Sequence, residues 1–364
     1  MNVVKKRWMR VKYDCYSWWY WKNWKRNFEC NTYITEIIIG SRNKPTEGDV
    51  SSYIWKAFDV NDAKSIDALL DGVSVVINAA GPSSVVSAPV MAATIARGLP
   101  LVDVGDRKYE AEENSLGEKT NNSLVMSGCG SIPGLIGVLP IILSRDFIKI
   151  SELEVNYRID EEISMSAATD MAAKMNASST SEINATTFTK PENIPLLGEA
   201  VYRYPYHDEE CEAVEHIINP LKSTWNMVRP DTEYEKLLAS PYKDREELAT
   251  RISKMSKLAI KDIRPGIHFY VKIQGILRED QKDGARVLYA SCGNPAEVSG
   301  KVLAATSSAV YRTNRDYALN GYYRPATFPM IDLLLENINK LGVFESWNIY
   351  PYLFDTDIEE VGEL

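Results

Sequence analysis

The sequence predicts an α/β protein: a doubly wound parallel sheet followed by a second, α+β domain that contains an antiparallel sheet. Three observations predict it. Val73-Ser74-Val75-Val76-Ile77 is a short, nearly continuous apolar run rich in β-branched residues, the pattern of a strand buried on both faces. That run ends in Asn78-Ala79-Ala80-Gly81-Pro82, small residues and a turn former, at the strand end where open α/β sheets hold ligands. After Ile150 the pattern changes, and Leu153, Val155, Tyr157 and Ile159 alternate with Glu154, Asn156, Arg158 and Asp160, as in a half-exposed antiparallel strand. The expected boundaries are 1–150, 151–325 and 326–364, the last segment returning to the first domain.

The totals narrow the function classes. Apolar content of 45% and charged content of 25% are ordinary for a globular protein. A formal charge of -9 argues against a general nucleic-acid binder. Cys15, Cys30, Cys129, Cys211 and Cys292 form no C-x-x-C pair, which fits neither a disulfide framework nor a zinc site, so the expected compartment is the reducing cytoplasm. His207, His216 and His268 are too scattered for a metal cluster. Met1 to Arg10 is basic without an apolar run behind it, and no run approaches the length of a membrane span.

From residue 34 the elements follow in order. Glu36-Ile37-Ile38-Ile39 is a strand, followed by Gly40-Ser41-Arg42-Asn43. In a dinucleotide-binding sheet the end of this second strand meets the adenosine ribose. An acid there favours NAD; Arg with a small hydroxyl residue favours the 2′-phosphate of NADP. No acid stands at Gly40, Ser41 or Arg42, so Ser41 and Arg42 point to NADP over NAD, although Arg42 also suits a solvated loop. Trp55 to Val60 is a third strand, and Asp59 suits either an adenine amino group or the cap of the next helix. Asn61 to Leu70 is a helix stopped at Gly72; Ser87 to Ala96 is another, with Ser87 as cap and Pro89 in the first turn. Leu101 to Val104 and Leu124 to Met126 are strands. Ser127 to Gly134 is a glycine-rich turn into an apolar helix, Leu135 to Leu143. The backbone N–H groups of that turn, Gly128 among them, suit an anion or a carboxamide, and equally a tight packing turn.

The first 33 residues do not fit this order. Five of the eight tryptophans, Trp8, Trp18, Trp19, Trp21 and Trp24, fall here, with no period of a strand or a helix. The strand, glycine loop and helix that open a doubly wound sheet are missing. The genetic code suggests why. Read one base later, the codons of Trp18, Trp19, Trp21 and Trp24 all encode Gly, those of Tyr20 and Asn23 encode Ile or Thr, and that of Lys22 encodes Lys or Arg. Tyr13 to Tyr16 become Met/Thr, Ile/Thr, Val/Ala and Ile/Thr. A strand followed by Gly-x-Gly-x-x-Gly is the dinucleotide fingerprint in its required context. The expectation is a frame shifted from about Tyr13 and restored between Cys30 and Glu36, leaving 1–33 aberrant and the first strand missing or improvised.

The second domain reads as strands around Leu153–Ile159, Ile267–Ile273 and Val287–Ser291, with Asp283-Gly284 in the connection before the hairpin return. Ala167–Met175 and Asp244–Leu258 read as helices, and Lys190–Pro205 as irregular. Met330–Leu341 is an amphipathic helix stopped by Gly342.

Ile37–Asn43, Val75 to Pro82, Leu101 to Asp106 and Gly128 to Gly134 together resemble the saccharopine dehydrogenase (saccharopine reductase)-like NAD(P)-binding family, most clearly over about residues 36–145. The resemblance implies a Rossmann-type NADP-binding domain, a following catalytic α+β domain, and oxidoreduction at a C–N bond of an amino-acid conjugate. The cofactor-binding residues it and the pattern above suggest are Ser41, Arg42, Asp59, Asn78, Ala79, Ala80, Gly81, Pro82 and Gly128. Its expected partner is a small amino-acid derivative, with neither nucleic acid nor membrane, and a homodimer is the assembly considered. The chain departs from the family in lacking the glycine loop as translated.

Hydride chemistry belongs to the cofactor, so no sharp catalytic motif is expected. His207, His268 and Lys174 are candidates for proton transfer, with His216 or a tyrosine as others. Arg158 and Arg203 suit substrate carboxylates. Two alternatives stand beside the oxidoreductase. One is an NADP-binding regulatory or degenerate non-catalytic protein. The other is a semialdehyde dehydrogenase using Cys129, whose place before a helix suggests a lowered pKa.

Overall fold

The computed structural model describes residues 7–12, 36–44, 54–105, 122–178, 191–230, 241–258 and 266–351. Two seven-stranded sheets carry the fold. The first is built from β1 (Arg7–Lys12), β2 (Glu36–Ser41), β3 (Ile54–Ala57), β4 (Val73–Asn78), β5 (Leu101–Asp103) and β6 (Leu124–Met126), with a late strand, Gly321–Tyr323, outside β6. All its pairings are parallel, in the order β3-β2-β1-β4-β5-β6. The chain order reverses between β1 and β4, so a crevice opens there at the C-terminal edge. β1 ends with Val11 level with Gly40 and Asn78, and Lys12 level with Ser41.

The apolar runs of this sheet are buried on both faces because helices cover both. On one face Ile38, Val76, Leu101 and Val125 meet α1 (Ala63–Leu70) and α2 (Ser83–Ala96) through Ile66, Leu69, Leu70, Val86, Val90 and Met91. On the other, Ile39, Val75, Ile77, Val102, Leu124 and Met126 join the main core. That core includes α3 (Leu135–Ser144), which is buried almost all round and packs against the second sheet.

The second sheet is mixed. β7 (Phe147–Asp160) is its centre, with α4 (Met165–Ser178) following it. Next come β8 (Glu192–Ile194), β9 (Gly198–Pro205), α5 (Glu209–Ile218), β10 (Lys222–Arg229) and α6 (Arg245–Leu258). β11 (Gly266–Leu277) and β12 (Asp283–Cys292) form a hairpin, and α7 (Pro295–Tyr317) leads back to β13 (Gly321–Tyr323). α8 (Ile331–Lys340) then packs on α7, and β14 (Ser346–Pro351) ends the described chain. β7 pairs antiparallel with β11 and parallel with β10.

Several expectations change. Arg7–Lys12 does form a strand, and it holds an interior place in the parallel sheet between β2 and β4; residues 13–35 lie outside the described residues. The helix expected from Ser87 begins at Ser83, so Pro89 lies inside it. Residues 192–205 form the β8–β9 hairpin rather than irregular chain, with Leu196 at φ 68° in the turn. Asp283-Gly284 belongs to β12; the turn is 278–282, with Gln281 at φ 60°. The strand that returns to the first sheet is β13, while β14, within the expected returning segment, pairs with β12 in the second sheet. The helices α5 and α7 and the strand β10 are additions.

Gly275 tests the β7–β11 seam. The register shifts beside it, and a Cβ there would stand 2.0 Å from the Lys149 carbonyl oxygen and 2.9 Å from Ile150 Cα. Backbone, unlike a flexible side chain, cannot step aside cheaply. Gly275→Ala is expected to lower stability by about 2–3 kcal/mol. Urea unfolding checks it; a midpoint shift worth under about 0.5 kcal/mol would mean the seam relaxes freely.

Candidate functional site

The candidate site lies along the C-terminal edge of the parallel sheet. At its centre Asn78 and Asp103 are both fully buried. Asn78 Nδ2 donates to Asp103 Oδ2 at 2.8 Å, and Asn78 Oδ1 accepts from Ala80 N at 3.1 Å. Asp103 Oδ1 accepts from Gly105 N at 2.8 Å. Backbone bonds carry the ladder past the strands: Val104 N to Asn78 O, Cys129 N to Asp103 O, and Gly128 N to Gly105 O. Two side chains thus fix the ends of β4, β5 and β6 as one edge. Ala79, Gly81 and Pro82 are half-buried on it, and Ala80 is buried beneath.

Elements of the later chain close over this edge. A Cβ on Gly81 would stand 2.3 Å from Ser166 Oγ of α4. One turn further on, Asp170 accepts from the first two N–H groups of α2, Ser83 N at 2.8 Å and Ser84 N at 3.0 Å. This is a helix cap supplied from another element, and it explains why α2 starts at Ser83 without its own capping side chain. Ser131 N and Oγ bond Ser299 Oγ of α7 at 3.0 and 2.8 Å. Gly134 N donates at 2.8 Å to Oε2 of buried Glu210 in α5. Gly134 has φ 124°, and a Cβ there would meet Gly130 O at 2.3 Å.

The turn expected to offer N–H groups to an anion has therefore spent them. Gly128, Cys129 and Gly130 donate to backbone carbonyls, Ser131 to Ser299, and Gly134 to the Glu210 carboxylate. Gly128 lies on the edge, at φ 67°, as part of its packing. Cys129 is fully buried. Burial first, then the Asp103 carboxylate beside it, pushes its thiol well above the ordinary value, with the Thr306 hydroxyl opposing. The expected lowering does not occur, because burial and the neighbouring carboxylate act in the opposite direction.

Ser41 is buried where β2 ends; its hydroxyl donates to Asn43 O at 2.7 Å and accepts from Trp55 Nε1 at 3.0 Å. Arg42 follows it, exposed. Asp59 is exposed and accepts from Asn61 N and Nδ2 at 3.0 and 3.2 Å, while the cap of α1 is Asp62. The proton-transfer candidates do not converge. His207 is exposed, 3.3 Å from Glu215, and His216 is exposed on α5. His268 Nδ1 lies 2.9 Å from the Tyr289 hydroxyl and Nε2 lies 3.9 Å from Asp160; burial lowers its pKa, and the Asp160 carboxylate opposes that. Lys174 lies in α4, four residues after Asp170. Both arginine candidates are in ion pairs, Arg158 with Asp160 at 2.9 Å and Arg203 with Glu154 at 2.6 Å. Among the described residues no group of three His, Cys, Asp or Glu suits a metal ion, and no helix is long and apolar enough to cross a membrane.

Four side chains were not singled out from sequence: Asp170, Glu210 and Ser299, which bond to the edge, and Glu161, at the end of β7. Glu161 follows β7. Its Oε1 accepts from Asn294 Nδ2, and its Oε2 is buried with no hydrogen-bond partner. Burial, with Glu162 adding to it, raises its pKa against the effect of the Asn294 amide.

No protein-family model matches this chain, and no curated protein matches its sequence. Solved structures do. The apo saccharopine dehydrogenase (L-Glu forming) from Saccharomyces cerevisiae is similar over 94% of this chain and 99% of its own, at 13% identity and a TM-score of 0.63. An engineered D-amino acid dehydrogenase bound to NADP+ covers 91% of this chain and 96% of its own, at 11% identity and a TM-score of 0.49. A C. glutamicum DAP dehydrogenase in complex with DAP gives the same coverages and identity at a TM-score of 0.46. The first of these shows that the chain shares the whole two-sheet fold, with its Rossmann-type first half.

The Asp170 cap is measurable. Asp170→Ala leaves Ser83 N and Ser84 N without their acceptor and is expected to cost about 1–2 kcal/mol. Asp170→Asn, keeping one acceptor oxygen, should cost less. Urea unfolding separates them; a neutral alanine variant would show that water replaces the carboxylate without loss.

Proposed function

We propose that this protein is an NADP-dependent oxidoreductase that acts on a C–N bond of an amino-acid conjugate. One observation carries the reading: β1 ends at the reversal of strand order, between Ser41 and Asn78, and the segment that follows it is the one whose shifted frame reads Gly-x-Gly-x-x-Gly. The two-sheet fold, the same as that of the yeast saccharopine dehydrogenase, supports the reaction class.

The residues present fit a dinucleotide. Ala79, Ala80 and Gly81 leave the strand end without bulk, and the buried Asn78–Asp103 bond keeps their backbone in place. Arg42 stands exposed where a 2′-phosphate would lie, and it would carry that contact without Ser41, whose hydroxyl already bonds Asn43 and Trp55. The cofactor, when bound, supplies or accepts the hydride. The chain's own part is to bind it, to hold the substrate against the edge, and to exclude water through α4 and α7.

A second reading, a non-catalytic NADP-binding or degenerate protein, is favoured by Trp18, Trp19, Trp21 and Trp24 standing where the glycine loop belongs. A glycine loop works because it reaches φ > 0 and leaves room for pyrophosphate at a helix N-terminus; indoles do neither. The chain as translated is therefore expected to bind NADPH far more weakly than the same chain with its frame restored between about Tyr13 and Glu36. Calorimetric titration of both decides it, and equal affinities would overturn the frame argument.

In the restored chain, Arg42→Asp is expected to weaken NADPH by about one to two decades, the worth of a charge-assisted contact of about 1.5–3 kcal/mol, and to spare NADH. Equal losses for the two would reassign the cofactor. NADPH oxidation with amino-acid plus keto-acid mixtures tests the reaction itself.

A further inference from the structure

We propose that Trp55 is a positioning residue for cofactor choice, resting on the NADP reading above: its indole N–H holds the turn that presents Arg42 to a 2′-phosphate. β2 and β3 pair in parallel, with Ile39 level with Trp55 and Ser41 level with Ala57. Side chains two residues apart on a strand share a face, so Trp55 lies on the face of Ser41, diagonally across the seam. Its ring is half-buried against the main core, to which Ile39 belongs. Its Nε1 reaches forward to Ser41 Oγ at 3.0 Å. The indole is thus anchored in the core at one end and bonded to the end of β2 at the other.

The bonds around Ser41 run in one direction only. An indole N–H donates and cannot accept, so the Ser41 hydroxyl is the acceptor there, and its single proton goes to the Asn43 carbonyl at 2.7 Å. The Ser41 carbonyl accepts from Phe58 N at 3.1 Å, just past the end of β3, and Phe58 is buried. Ser41 is itself only 4% exposed, so water does not compete for its hydroxyl. Arg42 stands between the two residues so held, Ser41 before it and Asn43 after it, and is exposed. A guanidinium carried on a loose turn would lose backbone freedom each time it met a phosphate. On a turn already fixed, that ordering is complete before the ligand arrives. The 2′-hydroxyl of NAD offers a cation no charge, so the same clamp does little for NAD. Trp55 touches the cofactor's selector, Arg42, through Ser41 and the turn.

The test has two arms. The first uses the full chain with its tryptophans labelled for nitrogen NMR. Trp55→Phe identifies the Trp55 indole resonance by removing it. Ser41→Ala is expected to shift that resonance and to hasten its proton exchange; an unmoved resonance with unchanged exchange means that the bond is not made in solution and overturns the proposal. The second arm measures NADPH and NADH affinity by calorimetry in the frame-restored chain. Trp55→Phe keeps an aromatic ring and loses the donor; Ser41→Ala loses the acceptor. Each is expected to weaken NADPH about threefold to tenfold, the worth of one hydrogen bond, and to spare NADH. In an Arg42→Asp background, Trp55→Phe is expected to add no further loss of NADPH, since the turn then has no cation to present; a full further loss overturns the proposal. Equal losses for both dinucleotides, or none, while Arg42→Asp still discriminates between them, overturn this proposal alone. An Arg42→Asp variant that does not discriminate, or a restored chain that binds neither dinucleotide, overturns the NADP reading and this proposal with it.

Discussion

The bond between Asn78 and Asp103 is the constraint on which the rest of the edge depends. Both side chains are fully buried, and polar groups in such a place are tolerable only when hydrogen-bond partners surround them. Asp103 has the Asn78 amide on one oxygen and Gly105 N on the other. Asn78 in turn turns the chain by accepting from Ala80 N. These bonds hold the backbone in register for several residues after the strands have ended. The small residues Ala79 to Gly81 then present backbone rather than side chain, and α2 starts immediately beyond them. Hydrophobic burial assembles the sheet, but it has no direction. The position of the edge is set by these directional contacts.

At that edge two carboxylates on backbone N–H groups add direction to the apolar core that the two sheets share. Asp170 caps α2 and Glu210 caps α3, each from a helix belonging to the later part of the chain. Charge at a helix N-terminus is favoured by the aligned peptide dipoles, and burial keeps the contact from being screened. Gly137 shows how closely the second contact is packed: a Cβ there would lie 2.5 Å from Glu210 Oε1. Helix N-termini in such sheets are commonly places for a ligand anion. Here both are occupied by the protein itself.

Much of the parallel sheet was legible because its signals are local. Val73–Ile77 reads as a doubly buried strand from composition alone, and α1 carries its cap, its apolar face and its stop within the span Asp62 to Gly72. What escaped shares one property: the deciding partner is distant in sequence. α2 begins four residues earlier than its own residues suggest because Asp170 caps it. α7 has a proper start in Asn294-Pro295 and Glu297, yet its middle, Ala304-Ala305-Thr306-Ser307-Ser308-Ala309, is small and buried throughout, so no apolar stripe marks it. Cys129 was read for the helix beside it, whereas burial and Asp103 govern its thiol. His268, in turn, meets Tyr289 and Asp160, 21 and 108 residues away in the chain but on the strands flanking its own.

The strand at the heart of the first sheet makes the last point. Its neighbours are Ile37-Ile38-Ile39 and Val75-Val76-Ile77, as a position covered by helices on both faces demands. The strand between them, Arg7-Trp8-Met9-Arg10-Val11-Lys12, has three cations in six residues. Backbone pairing accepts any sequence, since the ladder uses only N–H and C=O groups. Side-chain burial does not. Read one base later, Tyr13 to Tyr16 encode a run of Met/Thr, Ile/Thr, Val/Ala and Ile/Thr, which matches the neighbouring strands, and the glycine codons follow at once. As translated, Arg7–Lys12 is the strand that pairs in parallel with both β2 and β4.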